Sequence, residues 1–176
     1  MTNFIDRLED TTVMRLGEII RYNNRPKIKH ENVAEHCLYV ATTVIKICNY
    51  YNIDSETRSK ALEFAITHDL GEIFLGDIPY DTKVDNPGLD KILEKAEVNS
   101  LKKYMPDYAD IYSLYLKEEE ERTLPYLITK LADTTSVLQY SKREITLGNR
   151  SDEMKGIYEG AVSRVTKILE EIESLV

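Results

Sequence analysis

Apolar residues along this chain recur at three- and four-residue intervals and hardly ever alternate. That period predicts helices nearly throughout and no sheet. Between residues 3 and 21, Ile5, Leu8, Val13, Leu16, Ile19 and Ile20 keep a helical period. Residues 22–31 (YNNRPKIKHE) break it with Pro26 and two asparagines, and read as a loop. Asn32 then caps a helix, with Glu35 placed to close a capping box. Its buried stripe is Val33, Cys37, Val40, Ala41, Val44, Ile47 and Cys48. Asp54 or Ser55 opens the next helix, which runs through Leu62 to His68. Residues 70–88 are the least regular, holding Gly71, Gly76 and Gly88, Pro79 and Pro87, and a concentration of acids. Helices follow over 89–104, 108–121, 123–147 and 151–175, punctuated by Pro106, Pro125 and Gly148, the last a candidate residue just beyond a helix end. Only Val13–Ile20 and Ile73–Ile78 fit a strand as readily as a helix. The expected architecture is all-α, one compact helical bundle spanning 1–176.

The length, 176 residues, is enough for a full core without staples. The charge changes the range of partners. With 23 Lys+Arg against 31 Asp+Glu, the net charge is -8. Such a surface repels duplex nucleic acid and anionic lipid at long range. The richest basic run, Arg21 to Lys29, is too mixed to overcome that. Cys37 and Cys48 share one helix about three turns apart and cannot pair within it, so two reduced core thiols are expected. The absence of an apolar run of membrane-spanning length, together with the thiols, points to a cytoplasmic protein with no membrane partner.

Histidine is scarce: His30, His36 and His68. His36 falls on the apolar side of its helix. His68 is followed at once by Asp69 in FAITHD, and Asp133 sits mid-helix in KLADTTSVL. A mid-helix Asp is costly, because its propensity is poor and a buried carboxylate needs a partner. One divalent ion would satisfy His36, His68, Asp69 and Asp133 together and leave open positions for substrate. Taken singly, each has an ordinary reading. His36 is then a core histidine, and Asp133 a salt-bridged residue with Lys130 or Tyr140 in sequence reach.

Taken in order, His36, His68-Asp69 and Asp133, within ENVAEH, HDLGEIFLGDIP and KLAD, resemble the signature of the HD-superfamily metal-dependent phosphohydrolases. Among these the chain is similar to the YfbR-like 5′-deoxynucleotidases over about residues 12–150. The resemblance implies a compact HD-domain helical bundle. It implies that His36, His68, Asp69 and Asp133 are ligands of one divalent ion, Mn2+, Co2+, Zn2+ or Mg2+. Glu72 matches the acid of the HDxxE segment and implies a catalytic role in orienting water or moving a proton. Asp77 implies contact with a sugar hydroxyl or general-acid duty, though a turn residue is an equal reading of LGDIP. Arg21 matches an arginine taken to contact phosphate. Tyr22 stands where the family often carries Trp. Ile78, Pro79 and Tyr80 match the wall around the sugar, and Lys29 and Lys83 are further cations within reach of phosphates.

The function implied is hydrolysis of a deoxynucleotide monophosphate to deoxynucleoside and phosphate. The alternative is a dNTP or dATP triphosphohydrolase of the phage DatZ type. From another class comes a non-catalytic HD module that binds a metal or nucleotide. The resemblance also implies a homo-oligomer, dimer or larger. The tyrosines of YMPDYADIYSLYL (104–116) serve equally as interface or as core edge.

Overall fold

The computed structural model describes residues 4–176. Among the described residues there is no strand, only an isolated antiparallel bridge between Ile20 and Asn32. The helices are α1 (Phe4–Leu8), α2 (Val33–Tyr50), α3 (Ser55–Thr67), α4 (Glu72–Leu75), α5 (Tyr80–Asp85), α6 (Leu89–Tyr104), α7 (Pro106–Glu121), α8 (Leu124–Thr146) and α9 (Asp152–Glu173), with a 3-10 segment at Thr12–Glu18.

The first expected helix is not continuous. Asn3, where it was to begin, lies outside the described residues. Further on, the Asp10 carboxylate accepts both the backbone N–H and the hydroxyl of Thr12. That local turn competes with the helical ladder and ends it. The 3-10 segment that follows buries only Leu16, so the apolar period from Ile5 to Ile20 does not mark one packed face. Val13–Ile20 thus resolves as a 3-10 turn plus the bridge. Ile73–Ile78 resolves as the single turn α4 followed by irregular chain from Gly76, with Ile73 buried.

Capping explains the other boundaries. Asn32 accepts from Glu35 N–H while Glu35 returns a bond to the Asn32 N–H, a complete capping box. Asp54 caps α3 by accepting from Glu56 and Thr57 N–H. At the end of α8, Gly148 N–H bonds to the Ile145 carbonyl and Asn149 N–H to that of Glu144. This is the Schellman pair, and it needs the positive φ of +104° that glycine supplies at 148.

Helices α2, α3 and α8 pack together, and α9 lies along α8. One apolar cluster joins them through Val40, Val44, Phe64, Leu127, Ile128 and Ile172. A second, through Leu16, Val33, Leu70, Ile73, Leu101 and Tyr112, joins the start of α2 to α4, α6 and α7. Tyr112 and Tyr115 are buried within these clusters while Tyr104 is exposed, so much of the tyrosine-rich segment serves the core. Cys37 and Cys48 are free and buried. His36 is fully buried on α2, in the stripe between Val33 of the second cluster and Val40 of the first.

Candidate functional site

The local fold brings His36, His68 and Asp69 together, with one donor atom from each within 4.8 Å of the others. His36 Nε2 lies 3.3 Å from His68 Nε2 and 3.4 Å from Asp69 Oδ2. His68 Nε2 is also 3.4 Å from Asp69 Oδ2, and Asp133 Oδ1 is 3.3 Å from His36 Nε2. His68 Nδ1 is 3.1 Å from the Ala65 carbonyl. A carbonyl only accepts, so that nitrogen donates, and the ring turns Nε2 toward His36 and Asp69. Burial drives His36 down to about 4, so its ring is neutral at ordinary pH. Two imidazole nitrogens and carboxylate oxygens therefore crowd one point. Such a cluster repels itself unless a cation sits among it. The separations also suit one. Bonds of about 2.0–2.2 Å to a first-row ion place neighbouring ligand atoms roughly 2.9–3.5 Å apart.

The ring orientations are fixed from behind. His36 Nδ1 meets Ser136 Oγ at 3.1 Å, and Lys130 Nζ holds the other oxygen of Asp133 at 2.9 Å. Such outer contacts aim metal-binding side chains. The Lys130 ion pair read from sequence is therefore present, and it coexists with the contact to His36. Although burial alone would raise the Asp133 carboxyl, Lys130 and the histidines hold it well below the usual range. Asp69 is likewise held down against burial by His68, His36 and Arg21.

One face of α8 organises everything above this floor. Asp133, Ser136, Tyr140 and Glu144 follow at helical intervals. The first two address His36. Tyr140 stacks on Tyr22, with centroids 4.5 Å apart and planes 3° from parallel, and its hydroxyl donates to the Lys29 carbonyl. Glu144, fully buried, accepts from the N–H groups of Ile28 and Lys29 at 2.7 Å each and from Asn149 Nδ2 at 2.9 Å. The loop 22–31 is thereby fastened to the bundle and carries Arg21 and Tyr22 to the site.

A cavity of about 520 Å³ opens beside the floor. Asp69 and Asp133 line it with Arg21, Tyr22, Glu72, Asp77, Ile78, Pro79, Tyr80 and Lys83. Arg21 Nη1 is 3.4 Å from Glu31 Oε1, and both side chains are largely buried. Burial pulls the guanidinium down, but Tyr22, Asp69, Asp133 and Glu31 around it push it above its ordinary value. Asp77 Oδ2 accepts the Tyr22 N–H at 3.1 Å. Burial raises the carboxyls of both Asp77 and Glu72, Glu72 well above the usual range. Glu72 Oε2 and the Tyr22 hydroxyl are buried without a hydrogen-bond partner.

Lys29 falls outside this group. Its backbone is engaged by Glu144 and Tyr140, while its side chain is exposed and does not line the cavity. His30 is exposed as well. The cavity wall adds residues that sequence reasoning missed: Thr134 and Val137 on α8, and Glu153, Gly156, Ile157 and Arg164 on α9. Arg164 lies over the Tyr80 ring, 5.0 Å from its centroid. Nothing in the α9 pattern set them apart from a solvated helix face, whereas the polar series 133, 136, 140, 144 on α8 was a readable signal.

The chain is similar to known phosphohydrolases. The 5′-deoxynucleotidase of Vibrio atlanticus is 26% identical over 167 residues, covering 91% of this chain and 83% of that protein. The one from Pasteurella multocida is 29% identical over 155 residues, with 80% and 75% covered. Among solved structures, an HD-domain phosphohydrolase from Listeria innocua superposes with a TM-score of 0.74 at 26% identity, over 90% of this chain and 79% of its own. The HD phosphohydrolase DatZ of cyanophage S-2L, bound to dA and one catalytic Zn2+, gives 0.71 at 20% identity, over 95% and 84%, a likeness of fold. The family model described as 5′-deoxynucleotidase YfbR-like matches residues 10–175, beyond both ends of the stretch that carried the resemblance. With its paired histidines and carboxylates at the foot of the cavity, the chain belongs to the YfbR-like 5′-deoxynucleotidase family and is a phosphohydrolase of the HD type.

Proposed function

We propose that the protein removes the 5′ phosphate from deoxynucleoside monophosphates, with His36, His68, Asp69 and Asp133 holding one divalent ion. The observation that carries this reading is the convergence of electron-rich donors on one point beside a buried guanidinium. The mixed imidazole and carboxylate set suits Mn2+, Co2+ or Zn2+ better than Mg2+. DatZ, which shares the fold, holds one Zn2+ and a deoxyadenosine. A bound ion supplies Lewis-acid charge and a water of lowered pKa.

The chain's own residues do the rest. Arg21 lines the cavity with two planar donors and offsets phosphate charge in the transition state. Glu72 lies on the same wall. Burial pushes its carboxyl well above the usual range, which suits delivery of a proton to the departing 5′ oxygen. Asp77, steadied by the Tyr22 N–H, accepts from a sugar hydroxyl. Ile78, Pro79 and Tyr80 wall the sugar, and Lys83 adds positive charge nearby.

The alternative is release of triphosphate from dATP. Ion pairing supports the monophosphate reading instead. Arg25 is paired with Asp81 and Lys130 with Asp133, so neither is a free cation for a longer phosphate chain. Product analysis decides between them. The protein is incubated with Mn2+ or Co2+ and dAMP, dATP or AMP, and products are separated by chromatography. Deoxyadenosine and orthophosphate from dAMP are expected. Deoxyadenosine and intact triphosphate from dATP alone would replace this reading with the alternative, and silence on every substrate by metal-loaded protein would leave a binding module.

We also read residues 1–176 as one domain acting as a homo-oligomer in the cytoplasm on a small soluble substrate, with neither nucleic acid nor membrane as partner. Leu38, Tyr39 and Ile45, exposed on α2, support an assembly. No helix among the described residues is long and apolar enough to cross a membrane.

A further inference from the structure

Part of the cavity lining is not used in the proposed reaction. This wall consists of Val137 on α8 and Gly156, Ile157 and Arg164 on α9, beside Tyr80 on α5. Two features stand out. The Arg164 guanidinium already lies against the Tyr80 ring at 5.0 Å, and among the described residues it has no carboxylate partner within salt-bridge distance. Together they present flat, polarisable surfaces at the cavity. In the same wall, Gly156 lies within the continuous α9 helix, where glycine is disfavoured. A Cβ there would meet nothing within 4 Å, so no neighbouring atom forces the residue to be small. The open space over Gly156 belongs to the cavity mouth, with Ile157 beside it.

A flat heteroaromatic ring fits such a place. Bases stack on aromatic rings and on arginine planes, and they need a wall from which no side chain projects. Ile157, Val137 and the Tyr80 ring supply the apolar contacts that such a ring can use.

Resting on the reading of the site as a deoxynucleotidase, we infer that the nucleobase of the substrate packs between the Tyr80–Arg164 pair and the bare α9 surface at Gly156. Base preference is then set at this wall and not at the floor, and Arg164 is its specificity-determining residue. Its guanidinium donates to acceptors on the base edge, which favours a purine with exposed N7 over cytosine, whose matching edge offers only the N4 donor.

The test compares two substrates that share phosphate and sugar but differ in the base: dAMP and 2-deoxyribose 5-phosphate. Steady-state kinetics are measured for wild type, Gly156→Leu and Arg164→Ala with Mn2+, and thermal unfolding checks that each variant folds. Leucine is a better helix former than glycine, so Gly156→Leu should keep or raise the melting temperature. The kcat/KM ratio of dAMP to 2-deoxyribose 5-phosphate should fall by roughly tenfold or more in Gly156→Leu, through KM. Arg164→Ala should narrow the dAMP to dCMP ratio. A folded Gly156→Leu whose ratio stays within about twofold of wild type would overturn the inference. So would equal losses on both substrates. If wild type turns over neither, the deoxynucleotidase reading has failed by itself, and calorimetric titration of dAMP into the metal-loaded proteins judges the wall. Equal affinity in wild type and Gly156→Leu then counts against it, and weaker binding in the variant for it.

Discussion

Replacing Glu144 by Ala removes the acceptor that fastens the loop 22–31. Two backbone N–H groups, from Ile28 and Lys29, and the Asn149 amide lose their partner at once. Each hydrogen bond to a charged group contributes about 1.5–3 kcal/mol. Ile28 and Lys29 are exposed, so water reaches part of what is orphaned. The expected loss is about 3–5 kcal/mol, a large share of the roughly 5–15 kcal/mol of a domain. Glu144→Gln keeps one acceptor oxygen but turns an NH2 toward an N–H donor, and should lose about 2 kcal/mol. Urea unfolding of the metal-free proteins gives both values. The same loop begins at Arg21 and Tyr22, so KM for the nucleotide should rise in the alanine variant. Burial raises the Glu144 carboxyl, but Asn149, Ile28 and Lys29 bring it below its ordinary value. Its contribution is therefore present above the unfolded pKa, about 4.5, and is lost as pH falls through the folded value. The wild-type advantage over Glu144→Gln should shrink in acid. A loss under about 1 kcal/mol in Glu144→Ala, with KM unmoved, would refute the reasoning that the carboxylate anchors the loop.

Other expectations concern the floor and its supports. Adding Mn2+ or Zn2+ at about a hundredfold excess over Kd should stabilise the wild type by about 2.7 kcal/mol; in Asp69→Ala the shift in melting temperature should vanish. A Cβ at Gly71 would stand 2.5–2.7 Å from the Glu97 side chain. Gly71→Ala should therefore cost about 1–3 kcal/mol in chemical denaturation and lower kcat, because the residue lies between Asp69 and Glu72. Burial raises the Glu31 carboxyl to about 7 despite Arg21. Its stabilisation is whole below about pH 4.5 and is lost as pH rises through 7. The pH–stability curve of Glu31→Gln should be flatter over that window by up to about 3 kcal/mol, measured by urea unfolding at pH 5 and 7.5. Arg21→Lys keeps the charge but loses the planar donor pair, so kcat/KM should fall by roughly ten- to a hundredfold at little cost to stability, as steady-state kinetics will show.

How far the site was legible depended on the kind of signal. The long helices were plain because their apolar residues must face a core, and the caps at Asn32, Asp54 and Ser151 are local bonds. The stretch from Ile5 to Ile20 misled. An apolar period carries no information on whether a partner surface exists, and the Asp10 turn broke the helix first. The floor could be assembled from His36, His68, Asp69 and Asp133 because unlike chemistry on apolar helices demands a shared partner. Lys29 could not be placed from charge alone. Only the fold shows that Glu144 and Tyr140 claim its backbone. The α9 wall was invisible for a similar reason. Gly156 and Arg164 gain meaning only opposite Tyr80.

The two ends of the donor set lie far apart along the chain, His36 near the start of α2 and Asp133 in the middle of α8. The pairing of α2 with α3 is local, and so is that of α8 with α9, so each hairpin pays little loop-closure entropy. Bringing the two hairpins together closes the long stretch that contains α4 to α7. A chain emerging from the ribosome through α3 therefore carries both histidines and Asp69 without the carboxylate of α8. It can neither complete the set nor form the wall above it. The four donors therefore meet only once the α8–α9 hairpin has docked on α2 and α3.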